Sequence, residues 1–322
     1  MTIDQKFINQ FLDVTSKAAV ATYNFLGKKD KIAADKAAVD SMRNELNKLD
    51  IKGQIVIGEG ELDEAPMLFI GENVGTSNGP DIDIAVDPLE GTNFAANNLP
   101  GALSVIAIAE KNNLFNAPET YMEKISAKVG EKGVIDLDYS VKKNIYNLSE
   151  YLNKKPESIT ACVMDRPRHK DIINELNKIG VKIKLITDGD ISGALLVTDE
   201  KYNVDIFLGV GGGPEGVLAS AALDTFKCCF QGRFLFDTDE DKIRASKMGI
   251  TNLTKKYELD EIVKGDSIFC ATGITSGDLV SGIKIEKNEF ISETLITHKS
   301  SGIKKIIKKV VNKWCCIVSQ IY

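Results

Sequence analysis

The spacing of apolar residues makes the chain open with helices. Phe7, Phe11, Val14, Ala18 and Phe25 recur at helical intervals, and Gly27 suits a helix end. The linker KKDKIAAD leads into a second helix with Val39, Met42, Leu46 and Leu49 on one face. Two short β-type runs follow, Ile55-Val56-Ile57 and Ile82 to Val86, and then the buried strand ALSVIAIA. From Gly130 to about Lys155 the chain is polar and low in β signal, so a boundary is expected inside that stretch. It separates an N-terminal α+β half, 1–145, from a C-terminal α/β half, 146–322.

The rhythm of the second half differs. ITACVMD, VKIKLIT and VDIFLGV read as strands, and RHKDIINELNKIG, SGALLV and PEGVLASAALDTF read as the helices between and after them. Such alternation implies a mostly parallel sheet with helices packed on it. DEDKIRASKMG forms a further helix and SIFCATGIT a further strand and loop. In the tail, Ile303, Ile306, Ile307, Val310, Val311 and Trp314 share a helical face between lysines, which predicts a basic amphipathic helix packed on its own protein or on a sister subunit.

Carboxylates gather where two of the apolar runs stop. Glu59, Glu61, Asp63 and Glu64 follow the first, and Asp87, Glu90 and then Thr92 follow the second. Unpaired charge beside a core is costly. Two ordinary acidic turns would explain either group alone, but several carboxylates on two loops suit the oxygen shell of Mg²⁺ or Mn²⁺. In the second half the strand-end loops are Asp165-Arg166-Pro167-Arg168, Asp188-Gly189-Asp190 and the run from Gly209 to Gly216. Ligands of such sheets bind beyond the carboxyl ends of strands, and a guanidinium pair suits a phosphate. GVGGGP departs from a dinucleotide fingerprint at Pro214, and Glu215 would repel a pyrophosphate. No nucleotide-kinase loop occurs. Asp188 and Asp190, with glycine between them, read equally as a second metal site or as a turn.

GEGELDEAPM and DPLEGT resemble the two signatures of class II fructose-1,6-bisphosphatases, within the metal-dependent, lithium-sensitive sugar and inositol phosphatases. The resemblance runs from about Phe11 to about His298. It implies the layered α/β/α/β/α sugar-phosphatase fold, with the active site between two halves. It implies hydrolysis of D-fructose 1,6-bisphosphate to fructose 6-phosphate, a step of gluconeogenesis. It also implies roles: Asp35, Glu59, Asp87, Glu90 and Glu215 as ligands of Mn²⁺ or Mg²⁺, Thr92 as the group that orients water, and Lys31 as added positive charge. Glu90, Gly91, Thr92, Tyr121, Arg166, Pro167, Arg168, Asp188, Gly189, Asp190 and Gly212 would contact substrate, the aspartates through sugar hydroxyls. Lysine often stands in the family where Arg166 does, and the chain is shorter than many members beyond Phe226. An inositol or other sugar phosphatase would share DPLEGT but not GEGELDEAP. Sedoheptulose-1,7-bisphosphatase activity is a neighbouring reading, and a non-catalytic phosphosugar sensor is the rival of a different class.

Totals refine this little. The 322 residues suffice for two domains, and 43% hydrophobic with 27% charged residues describes an ordinary globular chain. A net charge of −6 argues against a nucleic-acid partner. The six cysteines form no C-x-x-C and only two histidines occur, so reduced, mostly buried thiols are expected rather than a zinc framework. No signal pattern opens the chain and no run is of membrane-spanning length, so a cytoplasmic protein without a membrane partner is expected, as a homo-oligomer (dimer or tetramer) acting on a small sugar bisphosphate.

Overall fold

The computed structural model describes residues 2–58 and 68–311. Glu59, Glu61, Asp63 and Glu64 of the first acidic motif lie outside these residues, as do Trp314, Cys315 and Cys316.

In chain order, α1 (Lys6–Tyr23) and α2 (Lys31–Leu46) precede β1 (Lys52–Ile57), β2 (Asn73–Val74), β3 (Asp81–Glu90), α3 (Thr92–Asn97) and β4 (Leu103–Glu110). Then come β5 (Tyr121–Ala127), α4 (Val141–Tyr151), β6 (Thr160–Met164), α5 (Lys170–Ile179), β7 (Lys182–Ile186), α6 (Asp190–Leu195), β8 (Ile206–Gly212) and α7 (Gly213–Thr225). The chain continues through β9 (Cys229–Phe234), α8 (Asp239–Lys247), β10 (Lys256–Glu258), α9 (Leu259–Ile262), β11 (Ser267–Gly273), β12 (Lys284–Glu286), β13 (Glu289–His298) and β14 (Ile303–Val311). Two compact units result: Met1–Phe115 with Lys264–Tyr322, and Asn116–Val263 between them. The second unit is therefore an insertion, whereas the sequence places a single boundary between residues 145 and 146. The difference arises because β11 to β14 return to the first sheet.

In the first unit the sheet order is β12-β13-β11-β4-β3-β1-β2, with β14 on the other side of β13. Only β1 and β3 are parallel. Phe7, Phe11, Val14 and Ala18 of α1 and Val39, Met42 and Leu46 of α2 close one core against Ile82, Ile84, Val86, Ile106, Ile108 and Ile268. That is the helical face the spacing predicts, except that α1 stops at Tyr23 and Phe25 lies in the turn beyond it. A buried hydroxyl ladder reinforces the packing: Thr272 meets Thr15 at 2.8 Å and Thr294 at 2.7 Å, and Ser292 meets Ser16 at 3.1 Å. Near the other end of β11, Asp266 accepts from the Ile3 N–H at 2.8 Å and pairs with buried His298.

The tail corrects an expectation. Residues 303–311 form an edge strand antiparallel to β13, not a helix. Apolar residues at 303, 307 and 311 fit a helical and an alternating pattern alike. The β-branched side chains and a four-residue turn that sets His298 opposite Ile303 decide for the strand.

The second unit's sheet runs β10-β9-β5-β8-β6-β7. β6 is parallel to both β7 and β8, as the alternation predicts, but β5 and β9 are antiparallel additions. A mixed α/β architecture with two sheets results. Among the described residues no helix is long and apolar enough to cross a membrane. Cys162, Cys228 and Cys270 are buried and Cys229 is half-buried. Burial pushes the Cys229 thiol up to about 12 and Cys270 up as well, so both stay protonated at neutral pH.

Candidate active site

In the first unit the residues of interest follow from how β3 ends. Pro88 cannot donate to the sheet ladder, and the pairing with β4 slips there: Asp87 lies opposite Val105 and Glu90 opposite Leu103. Three steps on β3 thus oppose two on β4, which is one extra residue, a bulge. Val105 and Leu103 are two apart on a regular strand and so point to the same face. Their partners Asp87 and Glu90 therefore share that face too, although a three-residue spacing would otherwise put them on opposite faces. The acidic motif needs its proline-centred bulge to bring its two carboxylates together. Glu90 is buried and Asp87 half-buried.

Gly91, at φ 78, holds the N-cap position of α3, and Thr92 is the first helical residue. The Thr92 hydroxyl makes no hydrogen bond among the described residues, so it is not the helix cap. Asp35 and Lys31 lie on the first turns of α2, not in a linker. The Asp30 side chain caps that helix by accepting from the Ala33 N–H at 2.9 Å, and the alanines that follow propagate it. Ala34 and Ala38 pack in one cluster with Leu89, Phe94 and Ala95, which seats α2 beside the end of β3 and beside α3. Lys31 is exposed and Asp35 half-buried.

The donors Asp35, Asp87 and Glu90 are all hard oxygen ligands, which fits Mg²⁺ or Mn²⁺ rather than a soft metal. Among the described residues no group of three or more His, Cys, Asp or Glu side chains is close enough together to hold an ion. Glu59, the fourth expected ligand of this set, lies outside them.

In the second unit, four strand ends bring the expected residues together. Tyr121 begins β5 and pairs in register with Gly212 at the end of β8. The Arg168 guanidinium lies over the Tyr121 ring, 4.7 Å from its centroid, and its Nε donates to the Val210 carbonyl at 2.9 Å. Arg166, across Pro167, sits 3.7 Å from Asp188 Oδ1. Gly189, at φ 86, turns the chain into α6, which begins at buried Asp190. The glycine run has a local reason. A Cβ at Gly211 would collide with the Asp190 carboxylate, and one at Gly212 with that of Glu215, so both carboxylates lie against bare backbone. Burial pushes the half-buried Glu215 carboxyl up, with Lys124 pulling the other way.

Two further residues support these loops. His169 is fully buried: its Nδ1–H donates to the Met164 carbonyl at 2.7 Å, and its Nε2 accepts the Val210 N–H at 2.8 Å. It ties the Arg166–Arg168 turn to β8 as a neutral ring, and burial lowers its pKa below the ordinary value. As pH falls through about 6.5, the unfolded chain takes up a proton that the folded one refuses, so stability must drop. The melting temperature of the wild type should fall more steeply between pH 7 and pH 5 than that of His169→Gln. Equal acid slopes would contradict this account. The other residue, Lys124, is buried on β5. Alternation over YMEKISA, which puts Met122, Lys124 and Ser126 on one face, was the available signal for it.

Residues 5–311 match the model of the family described as bacterial fructose-1,6-bisphosphatase, glpX-encoded. The chain belongs to that family. A D-fructose 1,6-bisphosphatase class 2/sedoheptulose 1,7-bisphosphatase of Prochlorococcus marinus (strain MIT 9301) is 41% identical over 308 residues, covering 91% of this chain and 92% of the relative. The protein of the same name from Synechococcus sp. (strain JA-3-3Ab) is 38% identical and covers 96% of each. Among solved structures, a Thermotoga maritima IMPase is similar with a TM-score of 0.34 at 13% identity, over 62% of this chain and 80% of that one, a likeness too slight to argue from.

Proposed function

We infer that this chain hydrolyses D-fructose 1,6-bisphosphate to D-fructose 6-phosphate and phosphate, a step of gluconeogenesis. The observation that carries the reading is the family match over residues 5–311. It makes the chain a phosphoric monoester hydrolase. The name of the relatives also favours sedoheptulose 1,7-bisphosphate as a second substrate.

Asp35, Glu59, Asp87, Glu90 and Glu215 would hold Mn²⁺ or Mg²⁺, which when bound neutralises the scissile phosphate and polarises its phosphorus. The Thr92 hydroxyl orients the attacking water, and its proton passes to a neighbouring carboxylate such as Glu59 or Asp87. Lys31 adds positive charge where the transition state gathers negative charge. Tyr121, Arg166, Pro167 and Arg168 hold the remote phosphate, while Asp188, Gly189, Asp190 and Gly212, with Glu90 and Gly91, position the sugar. The enzyme acts in the cytoplasm as a homo-oligomer, dimer or tetramer.

Phosphate release from fructose 1,6-bisphosphate with Mg²⁺ and with Mn²⁺ tests the reading, beside sedoheptulose 1,7-bisphosphate and inositol 1-phosphate. Turnover of inositol 1-phosphate alone, or of none of them, would overturn it. Losing Arg168 should weaken binding more than chemistry, because a remote charge-assisted contact contributes about 1.5–3 kcal/mol. KM for Arg168→Ala should rise roughly ten- to a hundredfold with kcat little changed. An unchanged KM would remove this loop from the phosphate grip.

A further inference from the structure

A lysine buried in the middle of a strand calls for a partner, because its charge is almost never fully buried alone. Lys124 is 2% exposed, and its ammonium contacts Asp190 Oδ2 and donates to the Gly212 carbonyl at 2.6 Å. Asp190 opens α6 and Gly212 closes β8. One cation on β5 thus fastens two separate loops, three residues along from Tyr121. Asp190 has a second oxygen, Oδ1, which is buried without a hydrogen-bond partner among the described residues. A buried acceptor left without a donor is costly, and a ligand hydroxyl would remove that cost.

We propose that Lys124 is a positioning residue for sugar recognition. It turns the Asp190 carboxylate so that Oδ2 faces the ammonium and Oδ1 is left to accept a sugar hydroxyl. Bare backbone at Gly211 gives the carboxylate room to take up this orientation. A buried ion pair adds little net stability compared with an apolar side chain of the same size. What the lysine contributes instead is the direction of the carboxylate. This rests on the substrate reading above, since the donor to Oδ1 is a hydroxyl of the phosphosugar.

Steady-state kinetics and melting temperatures of Lys124→Met, Asp190→Asn and the double variant on fructose 1,6-bisphosphate test the proposal. Lys124→Met should raise KM by about tenfold or more, the scale of a charge-assisted hydrogen bond, with kcat within about threefold. A merely structural lysine would lower the melting temperature and the active fraction, leaving KM unmoved. Because Lys124 acts through Asp190, the double variant should have the KM of Asp190→Asn alone. If Lys124→Met does not fold, Lys124→Arg, which keeps the charge but moves the donor, takes its place: its KM should rise likewise, and an unchanged KM overturns the proposal. An unchanged KM in Lys124→Met overturns the proposal, and so does a double variant whose KM exceeds that of Asp190→Asn. Each leaves the substrate reading intact. A wild type that releases no phosphate from the bisphosphate overturns both.

Discussion

Asp87→Ala is expected to fold and to release phosphate from fructose 1,6-bisphosphate roughly a thousandfold more slowly than the wild type, well beyond the 10–100-fold of a lost outer-shell partner. The bulge at Pro88 is the reason for so large an effect. It sets Asp87 and Glu90 on one face at the end of β3, so removing either leaves a cation with half of that pair. The ladder with β4 is formed by main-chain groups and resumes at Glu90, so the substitution leaves the strand pairing itself in place. The melting temperature should therefore stay close to that of the wild type. Chelator should abolish wild-type activity and Mn²⁺ or Mg²⁺ restore it, while Asp87→Ala should respond only at far higher metal concentration. Full wild-type turnover in chelator would sink the metal reading altogether.

Thr92→Ala should lower kcat by roughly two or more orders of magnitude, the scale of a lost positioned proton transfer, while substrate and metal binding remain nearly intact. Helix capping would make the same residue a stability element, with about 1 kcal/mol lost on substitution. The structure weakens that rival, since Gly91 occupies the cap position and the Thr92 hydroxyl bonds to no described residue. Little change in melting temperature is therefore expected for Thr92→Ala. Thr92→Ser, which keeps the oxygen, should recover much of the rate. Near-normal turnover in the alanine variant would show that the hydroxyl does no chemistry.

Much of the fold was legible because apolar spacing survives in it. The core face of α1, the strands β3, β4, β6, β7 and β8, and helices α5 and α7 stand where the periods place them. Among the elements that were not legible, two show different reasons. The run 303–311 carries a pattern that suits both periods, and only pairing with β13 selects one. β5 begins with an exposed tyrosine and contains a buried lysine, so its composition hides its central place in the second sheet. Most candidate site residues were nameable from the two acidic motifs and the strand-end loops, whereas Lys31, Asp35 and Tyr121 came only from the family resemblance. The bulge that aligns Asp87 with Glu90 was not, because a register slip is a property of two strands together. Nor was His169, whose role depends on backbone groups of Met164 and Val210 that come together only on folding.

The insertion has a consequence for how the chain is made. Its two ends leave the first unit close together, for the Lys264 N–H donates to the Asn113 carbonyl at 2.8 Å. During synthesis the whole of Asn116–Val263 emerges before β11, which must then slot in beside β4. Until then α1 lacks the threonine and serine partners of its buried hydroxyls, and β4 presents an unpaired apolar edge. The nascent first unit is thus an aggregation hazard for as long as the ribosome takes to add some 150 residues, on the order of ten seconds or more. A stall within the insertion would leave the half-made sheet open for longer, so chaperone dependence should track translation speed through that segment.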